Sequence, residues 1–232
     1  MSGNKPAKVT LFTHTKDPLD AITLGIEVWH NPIPSEIKEI VWTEAYMVKS
    51  IRWLLQQPHT TPLEYFNMVW VLKGVSRAFQ QQLTRYRMGI GYSIQSLRVV
   101  NVGGFADNGE YTVPSDVLDK ESFHRKMKLL QDTYNIMIAG GEKTENARGI
   151  LPLNIHSPIT LTCNYRALLH IIGQRTCHCA QEEWKDVVSQ MRHELMAKVH
   201  PVFAEPFDCQ CQRFRKGKSF CKTDGKQVTD ND

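Results

Sequence analysis

The stretch from Phe66 to Arg98 constrains the chain more than any other. An apolar run, Phe66 to Leu72, carries the Val, Trp and Phe content of a buried strand. Gly74 breaks the run, and Ser76 is placed to cap a helix predicted from Arg77 to about Arg87. Within that helix Phe79, Leu83 and Tyr86 fall at core-facing spacing, while Gln82 and Arg85, three apart, share a neighbouring face. Gly89 and Gly91 are expected to end the helix in a backbone-exposing loop that leads to Ser96 and Arg98. Guanidinium forks beside such a loop suit a phosphorylated ligand, because they match phosphate oxygens in pairs. On these residues alone a solvated basic helix followed by a loop accounts for the pattern equally well.

At 232 residues the chain can build one substantial domain. Its formal charge of +4 is compatible with small anions or nucleic acid and does not choose between them. No apolar stretch has the length of a membrane span and the first residues lack a signal-peptide core, so a cytoplasmic protein is expected, in a host's cytoplasm if virally encoded. The six cysteines fall late, at 163, 177, 179, 209, 211 and 221. Cys-x-Cys pairs such as Cys177 and Cys179 are a poor match to structural zinc, and thiols without metal are expected.

Along the chain, Val9 to Thr13 reads as a strand, and helices are expected from Asp17 to about Trp29 and from about Thr43 to Gln57. Ser122 is placed to cap an amphipathic helix with Phe123, Met127, Leu130, Tyr134 and Met137 on its apolar stripe. A strand from Ile159 to Cys163 precedes helices from Asn164 to about Arg175 and from about Ala180 to His200. Asn164 and Arg175, eleven apart, would return to nearly one face of the first of these. For Arg175 alone, an interaction with the C-terminal end of its helix is the simpler explanation. Residues 208–232 are polar and basic and read as a mobile tail behind a domain spanning 1–207. The short basic run from Arg213 to Lys218 reads as a solvated terminus, and no nucleic-acid partner is expected.

Together the motifs resemble the flavin-dependent thymidylate synthases. Gly74-Val75-Ser76-Arg77-Ala78, then Gln82-x-x-Arg85-Tyr86-Arg87, then Ser96-x-Arg98, is similar to the family's signature region. His59-x-Thr61-Pro62-Leu63-Glu64 resembles its flavin-contacting segment. Arg148-x-Ile150-Leu151-Pro152-Leu153-Asn154, then Asn164-x-Arg166, His170 and Arg175, resemble its second half. The likeness runs from about Val9 to Phe207, with the motifs in the family's order. Three departures stand out. Tyr86 replaces the family's His, Met88 to Gln95 is one residue longer than the family's loop, and Val99 stands where a Tyr usually follows.

The resemblance implies an α+β fold: a single domain with a central, mainly antiparallel sheet flanked by helices, assembled as a homotetramer whose sites are shared between chains. It implies methyl transfer to carbon 5 of dUMP to give dTMP, with bound FAD, methylenetetrahydrofolate as carbon donor and NADPH as reductant. A methylase or hydroxymethylase of another pyrimidine nucleotide is the alternative that the altered loop keeps open. The nucleotide positions carried over are Gln82, Arg85, Gln95, Ser96, Arg98, Arg148 and Arg175, with Arg175 also catalytic. The FAD positions are His59, Thr61, Glu64, Arg85, Tyr86, Arg87, Asn164, Arg166 and His170. The family uses no active-site cysteine, and the signature region here contains none.

Overall fold

A computed structural model of the chain describes residues 5–32, 41–177, 180–207, 222–223 and 226–227. Strand β1 (Lys8–His14) leads into helix α1 (Pro18–Glu27), and α2 (Glu44–Leu54) follows. After a 3₁₀ turn (Thr61–Tyr65) come β2 (Asn67–Lys73), α3 (Arg77–Leu83) and β3 (Ile90–Ile94). The second half holds α4 (Lys120–Ala139), α5 (Thr144–Ala147), β4 (Ile159–Asn164), α6 (Tyr165–Arg175) and α7 (Glu182–Lys198). The main sheet has the order β1-β2-β4-β3. Backbone bonds at the strand ends make each pairing antiparallel: Thr15 to Asn67, Ser157 to Val75 with Tyr165 to Phe66, and Gln95 to Pro158 with Asn164 to Gly89. The α+β class with an antiparallel sheet and helices is therefore as expected. Among the described residues, no helix is long and apolar enough to cross a membrane.

Two compact units divide the chain. The first comprises Met1–Val9, Val71–Tyr86 and Tyr92–Leu161; the second comprises Thr10–Trp70, Arg87–Gly91 and Thr162–Asp232. In the first, Leu97, Phe105, Tyr111, Met127 and Ile155 form a buried cluster. Helix α4 lays Met127 on that cluster, with Phe123 and Leu130 packed at its edge. Tyr111 is hydrogen-bonded to His124 of the same helix. The helix starts earlier than expected: Asp119, not Ser122, is its cap, accepting from the Ser122 N–H at 2.8 Å. Gln131 lies buried in the apolar stripe because both ends of its amide are hydrogen-bonded. Its oxygen accepts from Ala106 and Asp107 N–H, and its nitrogen donates to the Asp107 carboxylate at 2.6 Å.

In the second unit α1 buries Ile22 and Ile26, and α2 buries Met47, Ile51 and Leu54, as the sequence pattern requires. Phe66, Tyr165 and Phe203 pack in tilted and edge-on pairs at centroid separations of 4.7 to 5.4 Å, and the Tyr165 hydroxyl donates to the Phe203 carbonyl. Trp184, Val187, Val188, Met191 and Leu195 are the buried face of α7. Cys163, in β4, is buried, and burial pushes its thiol up to about 12, so it stays protonated at neutral pH. Pro34, Cys179, Cys209, Cys211, Cys221 and the basic run from Arg213 lie outside the described residues.

Two other expectations are corrected. Helix α3 stops at Leu83, about one turn short of Arg87, and Gly91 lies within β3 and not in a loop. The cause is Tyr92, whose hydroxyl is shared between the carbonyls of Leu83 and Tyr86 at 2.8 and 2.7 Å. Those contacts occupy carbonyls at the helix end and fold the chain back into a strand.

His156 follows the Asn154 turn and is buried, with Nε2 3.2 Å from the Thr112 hydroxyl. Burial, and secondarily the charge of Lys5, lowers its pKa to about 4. A histidine whose folded pKa is depressed contributes stability above its ordinary value, and that stability is lost as pH falls. The loss therefore runs from about pH 6.5 down to about 4, on the order of 2–3 kcal/mol. Urea melts at pH 7 and 4.5 should show a larger drop for the wild type than for His156→Gln; equal drops would contradict this assignment.

Candidate active site

In the first unit the signature residues emerge from a buried anchor. Leu97 is in the core, while its neighbours Ser96 and Arg98 are exposed. Gln95 is pinned on its backbone, donating to the Pro158 carbonyl at 3.1 Å and accepting from the Ser157 hydroxyl at 3.2 Å. Ser96 closes a turn, its carbonyl accepting from Val99 and Val100 N–H. The Arg98 guanidinium meets Glu145 of α5 at 3.1 Å. Arg148, one turn further on, donates from Nε to the Glu145 carbonyl at 3.3 Å. The structure thus brings Arg98 and Arg148 to one acidic residue, which sequence reasoning did not single out. Its only signal was position: Glu145 sits three residues before Arg148.

Gln82 is half-buried near the end of α3 and Arg85 is exposed beyond it. Tyr86 is 9% exposed, so its ring belongs mainly to the core of this unit. The aromatic ring at the middle of the triplet is thus accounted for by packing.

The second unit holds His59, Thr61, Glu64, Arg87, Asn164, Arg166, His170 and Arg175. His59 and Thr61 are exposed at the 3₁₀ turn, which α1 holds closely: a Cβ on Gly25 would lie 2.9 Å from Pro62 and Tyr65 side-chain atoms. Glu64 accepts from Arg166 Nη1 at 2.7 Å, so two residues expected to face flavin also meet each other. Arg166 and His170, four apart, share one face of α6, and His170 lies 3.2 Å from the Gln174 amide.

Asn164 is not in α6 but caps it, accepting from Ala167 N–H at 2.8 Å. The expected one-face relation between Asn164 and Arg175 therefore does not apply, because only residues inside the helix follow its period. Asn164 also donates its backbone N–H to the Gly89 carbonyl at 3.1 Å. Gly89 has φ +69°, and a Cβ there would lie 2.6 Å from Asn164 Nδ2. Arg175 ends α6 with its guanidinium carbon 5.0 Å from the Trp184 ring centroid. That cation–π contact from the buried Trp184 holds the arginine, a pairing the sequence pattern alone does not show.

The division is chemically suggestive. The residues expected at the nucleotide, except Arg175, lie in the first unit, and those expected at flavin, except Arg85 and Tyr86, lie in the second. The donor set of the second, with Arg87, Arg166, His59 and Thr61, has the forks and hydroxyl that a pyrophosphate-bearing dinucleotide requires. Those residues fit FAD.

A family model described as thymidylate synthase complementing protein matches residues 10–202. The flavin-dependent thymidylate synthase of Geobacter sulfurreducens is 30% identical over 203 residues, spanning 85% of this chain and 86% of its own. That of Pyrococcus furiosus is 30% identical over 84% of this chain and 82% of its own. Among solved structures, thymidylate synthase X of Helicobacter pylori with FAD and dUMP has a TM-score of 0.71 at 18% identity, covering 87% of this chain and 99% of that one. The UMP/dUMP methylase PolB of Streptomyces cacaoi, bound to 5-Br dUMP, has a TM-score of 0.70 at 21% identity, covering 89% and 97%. The chain belongs to the flavin-dependent thymidylate synthase family and is an enzyme of that kind.

Gly89→Ala should cost about 1–3 kcal/mol, since an alanine must both adopt positive φ and displace the capping amide. A denaturant melt reads the loss, and a midpoint equal to the wild type would contradict the close approach.

Proposed function

We propose that this enzyme transfers a methyl group to carbon 5 of dUMP, giving dTMP, with bound FAD, methylenetetrahydrofolate as carbon donor and NADPH as reductant. The observation that carries the reading is the convergence of Arg98 and Arg148 on Glu145 beside the exposed Ser96 hydroxyl. Two guanidiniums and a hydroxyl supported by a buried Leu97 are suited to a nucleotide phosphate. Gln82, Arg85 and Gln95 complete the proposed nucleotide contacts in that unit.

FAD would be held by His59, Thr61, Glu64, Arg87, Asn164, Arg166 and His170, with Arg85 and Tyr86 from the signature. When bound, flavin supplies the hydride that reduces the transferred carbon. The chain's own contribution is charge and position. Arg175, steadied on Trp184, is the proposed catalytic cation at the uracil edge. There it would stabilise negative charge on a ring carbonyl and favour loss of the adjacent ring N–H proton, which raises electron density at carbon 5. Cys163, buried and protonated, is unsuited to nucleophilic attack. The assembly proposed is a homotetramer, the family's arrangement, in which sites draw on several chains.

A second reading is favoured by the likeness to a UMP/dUMP methylase. The longer segment from Met88 to Gln95 gives it a location in the sequence. In that reading the enzyme acts on another pyrimidine nucleotide, UMP or dCMP, or releases a hydroxymethylated base, with the same flavin residues.

Purified protein should carry or take up FAD, with flavin absorbance, and should oxidise NADPH faster when dUMP is added. Protein that stays colourless after FAD addition would overturn the reading. Arg175→Ala should keep FAD and lose turnover by about 100-fold or more; near-normal turnover removes its catalytic role. Arg98→Lys should weaken dUMP binding about 10-fold, because an ammonium does not reproduce the fork; unchanged affinity by calorimetry would contradict the phosphate assignment.

A further inference from the structure

We propose that this enzyme has a separate anion site, a cavity beside the end of α6 that takes the glutamyl dicarboxylate of the folate carbon donor. The chemistry recognised is two carboxylates on a short apolar spacer; its assignment to the folate rests on the function proposed above. None of the residues lining the cavity is among those carried over from the family resemblance.

The cavity lies within the second unit, has a volume of about 220 Å³ and is lined by Thr176, Lys185, Val188, Ser189, Arg192 and Phe207. Sites that enclose a whole small molecule start at about 300 Å³, so this one suits the end of a longer ligand. Thr176 closes α6, one residue past Arg175. Lys185, Val188, Ser189 and Arg192 recur every one to four residues along one side of α7. Phe207 comes from the segment after the 3₁₀ turn Pro201–Ala204.

The lining is divided by polarity. Val188 and Phe207 are buried, whereas Lys185, Ser189 and Arg192 are exposed, which gives an apolar floor and a cationic mouth. Arg192 Nε donates to the Ala204 carbonyl at 3.2 Å, which orients the guanidinium and leaves its Nη groups for a ligand. Among the described residues, no carboxylate pairs with Lys185 or Arg192. The Thr176 hydroxyl donates to the Ile172 carbonyl at 2.8 Å, so Ser189 is the hydroxyl left to donate into the cavity.

Spacing selects the anion. Lys185 and Arg192 are seven residues apart, so their backbones are separated by about 10 Å along the helix. Two carboxylates joined by a short spacer can each meet one cation, the fork of Arg192 taking one and the ammonium of Lys185 the other. The spacer methylenes would lie on Val188 and Phe207, a surface that offers an inorganic ion nothing. A glutamyl group has this form, and the folate donor carries it remote from the carbon being transferred. Binding there would hold the co-substrate without touching the reacting atoms.

The test uses the full-length, FAD-loaded protein as wild type, Lys185→Gln and Arg192→Gln. Each is titrated by calorimetry with p-aminobenzoylglutamate, glutarate and inorganic phosphate, and the KM for methylenetetrahydrofolate is measured with dUMP. Melting temperature and flavin absorbance establish folding; should Arg192→Gln unfold through loss of its bond to Ala204, Lys185→Gln decides alone. Each variant should bind p-aminobenzoylglutamate about 10-fold more weakly and raise the folate KM by a similar factor, with dUMP affinity unchanged. Unchanged p-aminobenzoylglutamate affinity in the variants overturns the inference and leaves the proposed function standing. Phosphate bound as tightly as glutarate, or wild type that binds neither dicarboxylate, also overturns it. Weaker dicarboxylate binding with an unchanged folate KM keeps the dicarboxylate site and removes the folate from it. Wild type that binds p-aminobenzoylglutamate through these two cations yet leaves dUMP unconverted keeps the site and sinks the proposed function.

Discussion

The close approach of Gly89 to Asn164 is the contact on which the second unit's candidate residues depend. Gly89 carries positive φ at the end of the signature triplet, and Asn164 caps the helix that bears Arg166, His170 and Arg175. One backbone bond and one missing side chain therefore tie the two motif segments together. A larger residue at 89 would push on the cap, and a lost cap would loosen the first turn of α6, where Arg166 sits. The Glu64–Arg166 ion pair adds a second tie, from the 3₁₀ turn to the same helix. Both its partners are well exposed, so its contribution is to direction more than to stability.

The first unit handles charge differently. Its core cluster of Leu97, Phe105, Tyr111, Met127 and Ile155 supplies rigidity. Glu145 is shared by Arg98, through its carboxylate, and by Arg148, through its carbonyl. In the second unit the aromatic contact of Arg175 with Trp184 orients a cation by another route.

Much of this was legible in the sequence. The apolar run before Gly74, the Ser76 cap and the presence of helices α1, α2 and α7 are local signals, and the structure bears them out. The end of α3 was not legible, because it is set by a hydroxyl nine residues ahead, on Tyr92, reaching back to Leu83. Asn164 was placed in a helix because its cap role and a first helical position differ by one residue in the same pattern. The burial of Gln131 was not legible either, because it depends on its amide meeting the Ala106–Asp107 backbone. Glu145 and Trp184 lie outside the matched motif positions, and their relevance comes from contacts that only the folded chain displays.

The central claim is that these residues serve carbon-5 methylation of dUMP. The most direct measurement is the mass of the product formed from dUMP, dCMP or UMP with FAD, NADPH and methylenetetrahydrofolate. Gain of a methyl group on dUMP, with the other two nucleotides unchanged, is the predicted result. A hydroxymethyl product, or conversion of dCMP or UMP in place of dUMP, would contradict it.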